Sequence, residues 1–194
     1  MGFMTILHGD DRFYNNIFVQ KWPSEDFITM HDSDDGFDSE NRKAGTWMFD
    51  EYPTYDEWIS QFDFTKPVDM KKLEPVHFGH LPVWIEGNVY LNGAEACKNE
   101  VNGLVISDKE AKVDLVEKEG SYYLDTNVYD LVGEFKDRMI HSDILGKAFE
   151  PEQRFENPDG TAIQFDKDYF GGHRGMDVIP GPFAQAEDAK KVLF

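Results

Sequence analysis

The sequence predicts an all-β fold, a partial parallel β-helix with inserted loops and a C-terminal β-hairpin region. Three observations predict it. The polar turn His8-Gly9-Asp10-Asp11 runs into Arg12-Phe13-Tyr14-Asn15-Asn16-Ile17-Phe18-Val19, a strand carrying an Asn pair. Its Asn-x-aromatic pattern returns in Asn88-Val89-Tyr90-Leu91-Asn92-Gly93-Ala94. Short strands with inward apolar residues and Asn at the turn suit a parallel β-helix, where stacked Asn side chains satisfy turn backbone groups coil after coil. Composition agrees: 14% aromatic residues, 16 Gly and 9 Pro, with many Asp and Asn, favour strands and turns over long helices. Finally, Val113-Asp114-Leu115 and Tyr122-Tyr123-Leu124 flank the Gly-containing connection Glu117-Lys118-Glu119-Gly120-Ser121, which reads as a hairpin.

Residues 5–19 read as a turn and then a strand. Residues 20–45 are polar and acidic, with Asp32-Ser33-Asp34-Asp35-Gly36-Phe37-Asp38 at their centre, and read as a surface excursion. Thr54 is placed to cap a short helix from Tyr55 to Phe62, with Trp58, Ile59 and Phe62 on one face. Glu57, three residues after Thr54, completes a capping box. The interval between the two Asn motifs exceeds one coil, so roughly 20–80 is an inserted loop or lobe. Leu81, Val83 and Ile85 then alternate with Pro82, Trp84 and Glu86 as a strand. Residues 128–141 fit a helix or a strand; Val128, Leu131, Val132 and Phe135 make a helical face. Asn157-Pro158-Asp159-Gly160 is a turn that leads into a strand over Thr161–Phe165. Ile179–Phe183 is extended, and 185–194 holds a terminal helical turn.

At 194 residues, 40% of them hydrophobic, the chain can bury a core as a single domain spanning 1–194. A net charge of −19 makes it a poor match for nucleic acid or an anionic membrane. The charge suits neutral ligands, or simply solubility. Cys97 is the single cysteine, which excludes an internal disulfide and CxxC metal sites. No signal peptide and no bilayer-length apolar run are seen, so a cytoplasmic location is expected. No cofactor is expected.

Five segments occur in a fixed order: Gly9–Val19, Gly87–Ala94, Phe155-Glu156-Asn157-Pro158-Asp159-Gly160, Asp168-Tyr169-Phe170-Gly171 and Pro180-Gly181-Pro182-Phe183. Together they resemble the C-terminal part of β-xylosidases of glycoside hydrolase family 120. The resemblance runs through nearly all of this chain and through the last third or so of a full family member. It implies a right-handed parallel β-helix accompanied by a β-sandwich domain, and retaining hydrolysis through two carboxylates. The family's nucleophile Asp and acid/base Glu lie upstream of its Asp-Asp-Arg-Phe motif, so no catalytic residue carries over to this chain.

His8, Asp10, Asp11 and Arg12 are the candidate substrate-binding residues. They stand at a turn entering a strand, where two carboxylates and a guanidinium can hold vicinal sugar hydroxyls. The alternative is that Asp11 and Arg12 pair and brace the turn. Asp32–Asp38 fails the EF-hand template, since His31 and Ser33 fall where acidic ligands are needed, and reads as a solvated loop. His77 and His80 lack a third ligand nearby, and no metal is expected. Trp47, Tyr52, Tyr55 and Trp58 either stack on sugar rings or close the core of the 45–62 lobe.

The expected function is therefore the scaffold and cleft rim of a β-xylosidase-like glycoside hydrolase acting on xylo-oligosaccharides, its catalytic carboxylates outside this chain. A non-catalytic carbohydrate-binding or subunit-assembly module is the alternative, and a truncated reading frame is a third. The chain begins almost inside its first strand, so a homo-oligomer or a missing N-terminal β-helix segment is expected to cover the open end.

Overall fold

The computed structural model of the chain describes residues 9–21, 43–67, 69, 71, 79–149 and 151–194. Two short strands, β1 (Arg12–Tyr14) and β2 (Ile17–Val19), meet at a corner where Asn15 takes φ 56°. Asn is among the few non-glycine residues that adopt this left-handed conformation readily. The same corner recurs between β3 (Trp84–Glu86) and β4 (Val89–Leu91), with Gly87 at φ 70°. It recurs before β5 (Leu104–Ile106), with Asn102 at φ 50°. A Cβ at Gly87 would stand 2.1 Å from Asp137 Oδ2, so packing as well as φ demands glycine there.

The corners stack. β1 pairs in parallel with β3, Phe13 opposite Ile85, and β2 pairs in parallel with β4, Ile17 opposite Val89. β4 pairs in parallel with β5, Val89 opposite Leu104. The chain between β2 and β3 therefore separates two strand-and-corner units that lie side by side.

Asn side chains join the stacked corners. The backbone N–H and Nδ2 of Asn16 both donate to Asn88 Oδ1 at 2.9 Å. Asn88 Nδ2 donates to Phe13 O at 2.9 Å and to the Glu100 carboxylate at 3.1 Å. At the third corner Gly103 stands where an Asn would continue the ladder, and a Cβ there would meet Glu100 Cγ at 2.4 Å. The Glu100 side chain fills that place and ends the ladder, accepting also from Asn88 N at 3.0 Å and Tyr90 OH at 2.6 Å.

Side chains alternate around this frame. Val89 and Leu91 face one apolar cluster with Ala111, Val128 and Val132. Tyr90 points the other way, stacks on Phe18 with ring centroids 5.3 Å apart, and hydrogen-bonds Thr46 Oγ1. Val83, Ile85 and Cys97 form a second cluster with Phe13, Phe49 and Tyr52.

The hairpin is present: β6 (Val113–Lys118) and β7 (Ser121–Thr126) pair antiparallel, Lys118 opposite Ser121. Glu119 at φ 53° and Gly120 at φ 79° make the two-residue turn whose twist matches the strands. Region 128–141 holds both alternatives in turn, a helix α2 (Val128–Val132) and then β8 (Asp137–Arg138), which pairs with β9 (Asp177–Val178). The helix capped by Thr54, α1 (Tyr55–Ile59), ends before Phe62 but keeps its capping box. The strand expected over Thr161–Phe165 is reduced to single bridges at Ala162 and Gln164. Asn157 draws that segment into a tight turn instead, donating from Nδ2 to Thr161 Oγ1 and Ala162 O. The terminal turn is a 3-10 helix (Ala186–Lys190), after which Val192 bridges back to Tyr123. The described chain is thus mostly sheet with few helices, but its sheets are small: two or three strands each.

The ladder's end titrates. Burial pushes the Glu100 carboxyl above its ordinary value, against hydrogen bonds from Tyr90 and Asn88 that favour the ionised form, and the nearby Asp137 charge pushes the same way as burial. A carboxyl raised on folding keeps its proton in the folded chain at pH values where the unfolded chain has lost it. Its contribution to stability therefore falls as pH rises from the ordinary carboxyl range through the raised value. Glu100→Gln removes that titration. The stability of the variant relative to the parent is expected to improve as pH climbs from about 4 to about 7. Urea unfolding at a series of pH values measures this, and a flat or falling difference would contradict it.

Candidate functional site

Arg12 occupies the centre of the candidate site because its strand position points it at the 142–155 segment. Its Nε donates to Leu145 O at 2.8 Å, Nη2 to Lys147 O at 2.8 Å, and Nη1 to Asp10 O at 2.8 Å and Asp10 Oδ1 at 2.7 Å. The guanidinium lies between the Trp84 ring at 4.2 Å and the Phe155 ring at 4.6 Å. Its side chain is 8% exposed. The other carboxylate oxygen of Asp10 accepts from Phe149 N at 2.8 Å. Asp10 and Arg12 together bolt the first strand to the segment after α3 (Ser142–Leu145).

The turn is braced, but by a different pair from the one the sequence offered. Arg12 pairs with Asp10, not Asp11. Gly9 at φ 121° and Asp10 at φ 62° curl the chain so that the Asp10 side chain reaches the guanidinium two residues on. Asp11 is exposed, and its backbone carbonyl accepts from Trp84 N at 3.0 Å. His8, Asp32–Asp38 and His77 lie outside the described residues.

Two open cavities flank Arg12. The first, about 620 Å³, is walled by Tyr55, Trp58, Phe62, Phe64, Trp84 and Phe149. The capping box at Thr54, with Thr54 N donating to Glu57 Oε2 at 2.8 Å, sets the start of α1 and so places Tyr55 and Trp58 on this wall. Trp58 packs against Phe62 and, edge-on, against Phe149, each at 4.4 Å between centroids. Tyr55 is 47% and Phe64 78% exposed. Glu152 supplies the one carboxylate among the described residues that line this cavity. The second cavity, about 550 Å³, is lined by residues including Tyr14, Asn15, Asn16, Phe165, Arg174 and Gly181, with no carboxylate among the described residues. Both volumes lie in the range of roughly 300–1,000 Å³ typical of small-ligand sites.

The four aromatic residues singled out in the sequence divide between an open cavity and more enclosed positions. Tyr55 and Trp58 line the first cavity. Tyr52 turns to the core, stacked on His80 at 4.0 Å and edge-on to Phe49 at 5.0 Å. Trp47 is half-buried and its Nε1 donates to Lys43 O at 3.0 Å. Cys97 is buried, and burial pushes its thiol up, away from nucleophilic use. Among the described residues no group of three His, Cys, Asp or Glu side chains is placed to hold a metal ion. No described helix is long and apolar enough to cross a membrane.

Sequence reasoning missed Trp84, Phe149 and Phe155 around Arg12, and Arg174, which lines the second cavity and not the aromatic one. Trp84 carried a signal: it is the outward aromatic in the Leu81–Glu86 alternation. The other three come to the site through contacts far along the chain, which no local pattern reports.

No protein-family model matches the chain, and no curated protein does. A solved structure does: XylC in its complex with xylose, with TM-score 0.71 and 27% sequence identity. The match covers 91% of this chain and 24% of that one. The chain therefore spans about a quarter of the length of the structure it resembles and shares its β-helix-like fold there.

Proposed function

We propose that this chain is the C-terminal scaffold and cleft-rim portion of a β-xylosidase-like glycoside hydrolase of the family 120 type, acting on xylo-oligosaccharides. The observation that carries the reading is the likeness to XylC, solved with xylose, over nearly the whole of this chain. The stacked parallel corners and their Asn ladder support a partial right-handed parallel β-helix as the frame. The aromatic cavity is the neutral-sugar subsite, since flat rings match the C–H faces of a pyranose. Asp10 and Arg12 hold its wall in place, and exposed Asp11 stands free at the turn to meet a hydroxyl. Retaining hydrolysis needs two carboxyl groups about 5–5.5 Å apart. Among the described residues, one lining carboxylate in the first cavity and none in the second favour catalytic carboxylates supplied from outside this chain, by a preceding β-helix segment or a second copy. The exposed Tyr55 and Phe64 rings also favour the second reading, a carbohydrate-binding or assembly module without turnover.

The test is release of nitrophenol from an aryl β-xyloside, together with titration of xylotriose against tryptophan fluorescence. Binding by the purified chain without turnover, and turnover once the preceding coils are added, is the expected result. Turnover by the chain alone would overturn the placement of the carboxylates; binding with no turnover in either sample would leave the binding module; no binding would defeat both readings. Within the same titration, Trp58→Ala is expected to weaken xylotriose binding about tenfold, in line with loss of about 1–2 kcal/mol of aromatic contact. Unchanged affinity would remove the aromatic cavity from the site.

A further inference from the structure

The two arginines beside the cavities are in opposite electrostatic states. Arg12 is spent on Asp10, on three carbonyl oxygens and on two aromatic faces. Arg174 is half-buried and lines the 550 Å³ cavity, yet its side chain donates one hydrogen bond among the described residues, from Nη2 to Ile179 O. Its Nε is buried and without a partner. It forms no ion pair among the described residues. This is unusual in a chain with 38 acidic and 19 basic residues, where carboxylate partners are in excess. The carboxylate nearest in effect, Asp168, is already engaged by the backbone N–H groups of Phe170, Gly172 and Ala184.

A half-buried guanidinium without a counter-charge costs free energy unless something completes it, and its planar fork matches a carboxylate in two-point geometry. The rest of the cavity fits a sugar more than a bare ion. Asn15 and Asn16 bring polar side chains to its lining, and Tyr14, Ile17 and Phe165 provide apolar surface.

We propose that the Arg174 cavity is a binding subsite for a carboxylate-bearing sugar, a uronic acid carried on or released from a xylo-oligosaccharide. The uronate carboxylate pairs with the Arg174 guanidinium, and the sugar ring lies against the Tyr14, Ile17 and Phe165 surface. The identification of a sugar rests on the function proposed above; the anion preference rests on Arg174 alone.

The experiment compares binding of glucuronosyl-xylotriose, neutral xylotriose and free glucuronate to the whole chain, by calorimetry and by the Arg Nε–H resonances. Glucuronosyl-xylotriose is expected to bind about tenfold or more tightly than xylotriose, with a shift at one Arg Nε–H, and added salt should erode only that advantage. Arg174→Gln should abolish the preference and leave xylotriose affinity unchanged, while Arg174→Lys keeps part of it. Should either variant fail to fold, the salt titration and resonance shift of the parent chain decide the matter. Equal affinity for the two oligosaccharides, or a preference that survives Arg174→Gln, would overturn the proposal while leaving the neutral-sugar reading intact. Binding of glucuronate without xylotriose would uphold the anion site and defeat that reading. No binding of any acidic probe would overturn the proposal outright.

Discussion

Arg12→Ala is expected to destabilise the chain by about 3–5 kcal/mol, the loss seen when one partner of a buried charge pair is removed. The substitution strands Asp10, whose other oxygen still holds Phe149 N. It also frees Leu145 O and Lys147 O from their donors and opens the space between Trp84 and Phe155. Arg12→Lys is expected to recover only part of the loss, because an ammonium cannot serve four acceptors in the plane of a fork or stack between two rings. Urea unfolding measures both, and a double-mutant cycle with Asp10→Asn isolates the pair. A loss near 1 kcal/mol or less for Arg12→Ala would place this contact with exposed surface pairs and take away its structural role. Because Phe149 and Trp84 line the aromatic cavity, the same variant is expected to lose xylotriose affinity even where it remains folded.

Local features were legible in the sequence where one residue type at one spacing settles the geometry. Thr54 and Glu57 name the start of a helix, and the Gly-containing stretch Glu117–Ser121 between alternating segments names a hairpin, though the strands run on through Lys118 and resume at Ser121. The Asn motifs, seventy-odd residues apart, name two corners that do stack. The candidate site was legible only in part. Asp10, Asp11 and Arg12 stand where the sequence drew attention, but two of them are turned inward on each other. The partners responsible, Leu145, Lys147 and Phe155, lie more than 130 residues away, and no periodicity links them to Arg12. Arg174 was invisible for a related reason: what distinguishes it is that it forms no ion pair among the described residues, which a linear sequence rich in acids hides.

Asn88→Ala is expected to cost about 3 kcal/mol, more than the same change at Asn16, since several buried partners lose their hydrogen bonds at once. Asn88 is fully buried, accepts from two donors of Asn16, and donates to Phe13 O and to the Glu100 carboxylate. Asn16 is half-buried, and its side chain gives the ladder one hydrogen bond. Asn88→Asp separates shape from hydrogen bonding. An aspartate keeps the acceptor that Asn16 needs but sets a carboxylate against Glu100, at the distance where Asn88 Nδ2 now stands 3.1 Å from both of its oxygens. Two carboxyls so close share a proton and are raised together on folding. The folded variant then holds a proton that the unfolded chain releases, so its stability falls as pH rises. Asn88→Asp should therefore approach the parent in acid and lose ground steadily toward neutral pH, whereas Asn88→Ala, which takes away hydrogen bonds that favour the ionised Glu100 but adds no second carboxyl, should lose ground in the same direction by less. Unfolding both across that range tests the ladder twice. A pH-independent Asn88→Asp deficit would mean that Glu100 turns away from the ladder and that the third corner closes by another route.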